Sequence, residues 1–236
     1  MAEAFSARDL ARLAEYDTPT MCNALEVMDP RWRISGFTTR PMVCQYPDLK
    51  PVVGYARTAR IASTEPNKLQ GKAAKQARLD YYKYIESGGP NPSIAVLQDL
   101  DGDRAGFGAF WGEVQSNVHK GLGCLGVVTD GSIRDTHVWA DGFQALAGMV
   151  VPSHAWVHAV DFGGEANVFG MRVKSGDIVH ADRHGAVIVP PEAVKGIPAV
   201  VDRLVRREAV IIGAAKKKGF SFAKLAKAIA EADEIH

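Results

Sequence analysis

The sequence contains little cysteine, and its three cysteines, Cys22, Cys44 and Cys124, are widely separated with no CxxC pair. An odd, scattered set argues against a disulfide framework and indicates a reducing compartment, with the cysteines acting as small apolar residues. No apolar run approaches the roughly 18 residues that predict a membrane span. The charged N-terminal segment has no apolar core typical of a signal peptide. We therefore expect a cytoplasmic protein that does not enter a membrane.

The chain also lacks a strong charge of either sign, because 28 basic and 27 acidic side chains leave a net charge of +1. This balance argues against a nucleic-acid binder that relies on a basic field, but it allows a small anionic substrate held by one or two local cations. The 236 residues are 47% hydrophobic and show no linker or internal repeat. We expect a single domain over residues 1–236.

Hydrophobic periodicity and capping signals predict an α/β domain with helical ends. Ser6, Thr18 and Ser221 are the predicted N-caps of three helices, with Pro19 as the first residue of the second. The other helices are predicted over residues 66–87, 113–121, 132–140 and 190–218. Strands are predicted over residues 54–62, 93–100, 124–128, 147–151, 156–162, 167–173, 177–181 and 186–189.

One stretch, residues 123–135, carries most of the functional signal. Its apolar run predicts a buried strand, and Thr129-Asp130-Gly131 predicts a turn in which the Asp side chain supports the backbone. Ligands of α/β sheets collect at the carboxyl ends of strands, so Arg134 and Asp135 are candidate site residues. The structural alternative is that Ser132 caps a short helix and Asp135 is its capping-box partner.

These residue types suit particular chemistry. Arg134 can fork onto a carboxylate or an enolate oxygen. Asp135 can anchor Mg²⁺, which needs only one or two protein carboxylates. In a helix the two adjacent side chains would not face each other. Upstream, Gly112 precedes a predicted helix whose first amides, from Glu113, Val114 and Gln115, can hold a substrate carboxylate; a plain glycine-capped helix is the alternative.

Two further groups of residues carry weaker signals. His180 and His184 flank Asp182 on a predicted strand–turn–strand and resemble a metal motif, but no third ligand cluster is near in sequence. We interpret Asp182 and Gly185 as turn residues. His154 and His158 alternate with apolar residues and can line one face of a strand. Glu208 lies among arginines on a predicted helix, a pattern typical of a solvated face.

The motifs together resemble those of the RraA-like family, which contains class II 4-hydroxy-4-methyl-2-oxoglutarate / 4-carboxy-4-hydroxy-2-oxoadipate aldolases and the regulator of ribonuclease E activity A. The resemblance rests on GVVTDGSIRD, on Gly112-Glu113, on Asp17-Thr18 followed by Asn23-Ala24-Leu25, on the Gly54, Ala56, Thr58 strand, and on GD…AD…G…P from Gly176 to Pro190. It covers roughly residues 15–210. Asn23 replaces a family Asp, residues 63–92 look longer than in compact members, and the four histidines are unexpected.

The resemblance implies a swivelling β/β/α domain that assembles as a homotrimer or homohexamer with sites between subunits. It implies a metal role for Asp135, substrate binding and enolate stabilisation by Arg134, and carboxylate binding by the Gly112–Gln115 backbone. Glu113 would order a water that acts as the base. Glu208 would reach the metal through water from a neighbouring subunit.

The implied function is a Mg²⁺- or Mn²⁺-dependent lyase that cleaves a 4-hydroxy-2-oxo acid and releases pyruvate through a metal-stabilised enolate. The same chemistry permits oxaloacetate decarboxylation. One alternative is a non-catalytic protein that binds and masks a ribonuclease. Another is a different metal-dependent lyase or hydratase on the same scaffold, which the additional histidines suggest. Neither the physiological substrate nor the preferred metal follows from the sequence.

Overall fold

Six helices frame three β-sheets in the computed structural model, which describes residues 5–236. The helices are α1 (Ala7–Leu13), α2 (Thr18–Met28), α3 (Gly71–Ser87), α4 (Glu113–Gly121), α5 (Ile197–Ala215) and α6 (Phe222–Asp233). The strands are β1 (Val43–Cys44), β2 (Val52–Ala62), β3 (Ser93–Asp99), β4 (Ala109–Trp111), β5 (Cys124–Thr129), β6 (Ser132–Ile133), β7 (Gln144–Ala147), β8 (Met149–Val150), β9 (His158–Phe162), β10 (Ala166–Val168), β11 (Met171–Val173), β12 (Ile178–Asp182) and β13 (Gly185–Val189).

The main sheet has the order β1-β7-β5-β3-β2-β12-β13, with β9 paired to β2. The central strands β2, β3, β5 and β7 are parallel, whereas β12 and β13 add to the sheet as an antiparallel hairpin. Strands β4, β6 and β8 form a small parallel sheet, and β10 and β11 form a separate hairpin. The segments that follow β4, β6 and β8 therefore leave the small parallel sheet at the same end, where the three strands have their C-termini.

Both faces of the main sheet are buried, which explains why its central strands are continuously apolar. On β3, Ala95 and Leu97 pack into one core with α3 residues, whereas Ile94 and Val96 pack into another beside β10 and β11. A third core joins α1, α2 and α5 to β12 and β13. The α/β fold with helical N- and C-terminal extensions is thus confirmed.

The N-terminal helices start close to the predicted caps, with one shift. Ser6 forms a capping box with Asp9, as its spacing predicts. The cap of α2 is Asp17 rather than Thr18, because the amide of Thr20 donates to Asp17 Oδ1 at 2.8 Å. Pro19 is consequently the second helical residue. Ser221 caps α6 as predicted.

Three predicted helices differ from the structure. Helix α3 begins at Gly71 instead of residue 66, α5 spans Ile197–Ala215 instead of residues 190–218, and no helix covers residues 132–140. The predicted set of antiparallel strands after residue 166 is divided, because β10 and β11 pair only with each other while β12 and β13 join the main sheet. Within residues 5–236, no helix is both long and apolar enough to cross a membrane.

Candidate active site

The candidate site lies where two neighbouring parallel strands end. Strands β4 and β6 pair with Trp111 opposite Ile133, so Gly112 and Arg134 leave the small sheet side by side. The amide of Arg134 donates to the Trp111 carbonyl at 2.9 Å and extends the pairing by one bond. The sheet therefore brings together the two motifs that the sequence separates by about twenty residues.

The short helix predicted from Ser132 is wrong, because strand pairing takes its place. Ser132 and Ile133 pair with β4 on one side and β8 on the other. The buried Ser132 hydroxyl has no hydrogen-bond partner among the described residues and caps nothing. Asp135 has a φ of +55°, a left-handed conformation that cannot be the third residue of a helix.

The turn before β6 forms as predicted, but a different side chain supports it. Thr129 Oγ1 accepts from the Gly131 amide at 3.0 Å. The Asp130 carboxylate instead crosses to the end of the adjacent strand, where Oδ1 accepts from the Asp99 amide at 2.7 Å. Burial raises the pKa of Asp130 to about 7. This carboxyl group thus links the turn before β6 to the end of β3.

The Asp135 carboxylate is held by two long contacts. Its Oδ2 lies 3.4 Å from the amide of Glu113 and 3.5 Å from Nε of Arg134. The expectation that Arg134 and Asp135 would not pair is therefore wrong, since it assumed a helix. A Cβ on Gly112 would lie 2.6 Å from Asp135 Oδ2. Glycine is needed here so that the carboxylate can approach the start of α4.

The start of α4 has the character of an anion site. Gly112 provides no side-chain cap, and the first helical amides have no partners inside the helix. The Glu113 amide faces Asp135, which leaves the amides of Val114 and Gln115 without a partner among the described residues. A small carboxylate bound at these two amides would also gain from the positive end of the helix dipole.

Helix α3 supports α4 through a buried histidine that the sequence analysis did not single out. His119 Nδ1 donates to the Gln115 carbonyl at 2.8 Å, and Nε2 accepts from the Tyr81 hydroxyl at 2.8 Å. The ring packs against Trp111 with 4.4 Å between centroids. Burial lowers the pKa of His119 to about 4, which keeps the ring neutral. No sequence signal marks His119, because its partners are a backbone carbonyl and a tyrosine of another helix.

The donor set fits a hydrated hard cation better than a tightly coordinated metal. No group of three or more His, Cys, Asp or Glu side chains within residues 5–236 is placed to hold a metal ion. Asp135 is one carboxylate whose side chain is 36% exposed. Mg²⁺ typically keeps several waters and takes one or two protein carboxylates. Asp135 therefore suits Mg²⁺ or Mn²⁺.

Glu208 is not part of this constellation within one chain. It is exposed on α5, and the buried residues of α5 pack into the core shared with α1 and α2. Trp111 and Ile133, which lead into the site, belong to the core beneath α3. A contribution from Glu208 of a neighbouring subunit stays a prediction.

The four histidines have local roles. His180 is buried between the Thr18 hydroxyl, at 3.1 Å, and the Tyr16 carbonyl, at 3.0 Å. His184 Nδ1 bonds Asp182 at 3.1 Å. His154 and His158 each contact a nearby backbone carbonyl through Nδ1. The interpretation of Asp182 as a turn residue agrees with its contacts to the amide and ring of His184.

Comparisons with known proteins place these features in a family. The model of the RraA-like family, described as Aldolase/RraA, matches residues 18–188. An uncharacterized protein from Pseudomonas syringae pv. tomato str. DC3000 is 19% identical with a TM-score of 0.73, over 98% of this chain and 97% of that one. Streptomyces coelicolor RraAS2, an unusual member of the RNase ES inhibitor RraA protein family, is 21% identical with a TM-score of 0.65, over 92% and 100%. A comparison with curated proteins finds no significant match.

Proposed function

Because the chain belongs to the RraA-like family, we propose that it is a divalent-metal-dependent lyase that cleaves a 4-hydroxy-2-oxo acid and releases pyruvate. The observation that supports this proposal best is the pair Arg134 and Asp135 at the open start of α4. Their only close polar partners among the described residues are each other and the Glu113 amide, so both keep most of their binding capacity. A pair that served only the fold would be better satisfied.

The residues at the start of α4 and Arg134 can each carry out one part of a retro-aldol cleavage. The substrate carboxylate binds the amides of Val114 and Gln115, which brings the adjacent 2-oxo oxygen towards Arg134. Glu113 is exposed on the first turn of α4. It orders a water or hydroxide that accepts the proton of the 4-hydroxyl group. The bond between C3 and C4 then breaks, and its electron pair becomes the C2–C3 double bond of the pyruvate enolate.

Arg134 stabilises the charge that develops on the enolate oxygen, which is the type of contact that counts most in the transition state. Protonation of C3 completes pyruvate, and the other fragment leaves as a carbonyl compound. When bound at Asp135, Mg²⁺ or Mn²⁺ would supply Lewis acidity to the oxygens of the substrate. The same residues suit the decarboxylation of oxaloacetate, which also passes through the pyruvate enolate.

We also propose that the protein forms a homotrimer or homohexamer in which Glu208 of one subunit faces the site of another. The exposure of Glu208 on α5 is compatible with this arrangement. Light scattering after gel filtration would give the oligomeric state. The third possibility is a different metal-dependent lyase or hydratase that uses the additional histidines, of which His180 and His184 have contacts within the fold.

The test is a coupled pyruvate assay across 4-hydroxy-2-oxo acids and oxaloacetate, with added Mg²⁺ or with EDTA. We expect EDTA-sensitive pyruvate release that falls by about 10²–10³-fold in Asp135→Asn and Arg134→Ala. Asparagine is the informative replacement because it tolerates a positive φ. Arg183→Ala is the matched control, since Arg183 pairs with Asp48 on the surface.

Full, EDTA-sensitive activity in Asp135→Asn would contradict the assigned site. Absence of turnover for every substrate, together with capture and inhibition of a ribonuclease, would favour the non-catalytic alternative. Fold neighbours include the RNA-processing inhibitor RraA from Thermus thermophilis, at 18% identity and a TM-score of 0.50. A likeness at this level shows the fold alone, so the assay has to decide.

A further inference from the structure

The segment that follows Asp135 supplies an unusual partner for the backbone of the candidate site. Because no helix covers residues 132–140, the Arg134 carbonyl lacks the amide donor that a helix would provide. The indole N–H of Trp139 donates to this carbonyl instead, at 2.7 Å. The Val138 amide, which a helix would direct to Arg134, donates to the Asp135 carbonyl at 3.0 Å. A side chain therefore satisfies the carbonyl that directly precedes Asp135.

Trp139 is itself firmly held. Its ring is buried in the core beneath α3, and the Tyr46 hydroxyl donates to its carbonyl at 3.3 Å. The next amide, that of Ala140, donates to Ser116 Oγ at 3.1 Å. The same hydroxyl donates to the Glu113 carbonyl at 2.9 Å. Two consecutive residues thus connect the end of β6 to the first turn of α4.

We propose that Trp139 is a positioning residue that holds Asp135 in its left-handed conformation and so sets the direction of the carboxylate. The Arg134 carbonyl and the Asp135 amide belong to one rigid peptide plane, so a fixed carbonyl fixes the plane from which Asp135 departs. A φ of +55° costs free energy unless the surroundings maintain it. In this conformation Oδ2 lies 3.4 Å from the Glu113 amide. The inference rests on the proposed function, because it assumes that the Asp135 carboxylate binds the metal ion.

The first test is metal affinity, which requires no substrate. Trp139→Phe keeps an aromatic ring but removes the indole N–H, so Asp135 should adopt its left-handed conformation for only part of the time. We expect the dissociation constant for Mn²⁺, measured by electron paramagnetic resonance of the free ion, to rise about tenfold. This factor corresponds to a competent conformation that is about one-tenth populated. Trp156→Phe is the matched control, since Trp156 is 62% exposed, and it should leave the constant unchanged.

The second test uses the wild-type chain and so does not depend on the folding of a variant. Coupling between two equilibria is reciprocal, so a hydrogen bond that favours metal binding is favoured by the metal by the same factor. Saturating Mg²⁺ should therefore slow hydrogen exchange of the Trp139 indole N–H, followed by NMR, by up to about tenfold. The Trp111 indole is the internal reference, because it is buried in the same core and its N–H has no acceptor among the described residues. Its exchange rate should stay the same, whereas a general gain in stability would slow both.

The outcomes distinguish this inference from the proposed function. Wild-type affinity for Mn²⁺ in Trp139→Phe would overturn the inference, as would equal weakening in Trp156→Phe. Equal slowing of the two indole N–H groups by Mg²⁺, or no slowing at Trp139, would also overturn it. Asp135→Asn tests the metal site separately and should weaken Mn²⁺ binding more than Trp139→Phe does. If Asp135→Asn binds Mn²⁺ like the wild type, or if the wild type binds none, the assigned metal site is wrong and the inference is wrong with it.

Discussion

In the β12–β13 hairpin, Asp182 accepts from the Thr18 amide at 2.8 Å, from the His184 amide at 2.8 Å and from the His184 ring at 3.1 Å. At the end of β6, Asp135 has only contacts of 3.4 and 3.5 Å. Both regions bring together aspartate and a basic side chain beside a strand end. The two regions differ in how fully the carboxylate is hydrogen-bonded. The Asp182 carboxylate already accepts three hydrogen bonds, whereas the Asp135 carboxylate can still bind a ligand.

The same contrast appears in the backbone and in exposure. The side chain of Asp182 is 6% exposed, and the residue lies within regular strand pairing. Asp135 lies in a left-handed conformation that ordinary residues avoid, and its side chain is 36% exposed. A strained residue with an accessible, loosely held carboxylate is typical of a functional site. The hairpin, which resembles a metal motif in the sequence, is the structural region of the two.

The largest expected effect is on stability and separates the two aspartates. Asp182→Ala leaves the buried amide of Thr18 and the partly buried amide of His184 without an acceptor, so we expect the free energy of unfolding to fall by about 2–4 kcal/mol. Asp135→Asn should change it by less than about 0.5 kcal/mol, because its contacts are long and exposed. Urea unfolding followed by circular dichroism would measure both. If both variants lowered the free energy of unfolding equally, the distinction between the hairpin and the end of β6 would be wrong.

A smaller effect is expected from filling the space at Gly112. In Gly112→Ala, the new methyl group would lie 2.6 Å from Asp135 Oδ2 and displace the carboxylate. A shift of this size at a catalytic group costs about 100-fold in kcat/KM, and the coupled pyruvate assay would measure it. Gly121→Ala is the matched control, since a Cβ there meets nothing within 4 Å. Wild-type activity in Gly112→Ala would show that Asp135 can move without consequence.

Much of this contrast could be predicted from the sequence, because it depends on local pattern. The start of α4 at Glu113 and the strand from Cys124 follow from periodicity and glycine placement, and both are confirmed. The turn interpretation of Asp182 also agrees with its contacts. The family motifs pointed to Arg134 and Asp135, and the β4–β6 pairing brings these next to Gly112.

What the sequence could not reveal depends on contacts between distant segments. Ser132 and Asp135 match a capping box, yet pairing of β6 with β4 and β8 overrides that local preference. The positive φ of Asp135 leaves no local signal. The contacts of three neighbouring tyrosines likewise depend on what lies opposite each of them. The hydroxyl of Tyr81 bonds the His119 ring, that of Tyr82 bonds the Gln115 side chain, and that of Tyr84 bonds the Thr58 amide.

The smallest expected effect is a dependence of stability on pH, because the pKa values of Asp130 and Asp182 are shifted in opposite directions. Burial raises the pKa of Asp130 from 3.8 to about 7. Burial alone would also raise the pKa of Asp182, but hydrogen bonds from Thr18 and His184 outweigh it and lower the pKa. Asp130 therefore contributes stability that is present in acid and lost as pH rises through 7. Asp182 contributes stability that is lost only in acid.

The variants Asp130→Asn and Asp182→Asn should show these opposite effects of pH on stability. Asparagine at position 130 can still accept from the Asp99 amide but cannot titrate, so the unfolding free energy of Asp130→Asn minus that of the wild type should rise by about 1.4 kcal/mol per pH unit up to pH 7. The corresponding difference for Asp182→Asn should be negative and constant over the same range. Urea unfolding from about pH 4.5 to 8.5 would measure both. Parallel pH profiles would mean that the turn before β6 buries no titrating carboxyl group, and the electrostatic contrast between Asp130 and Asp182 would fail.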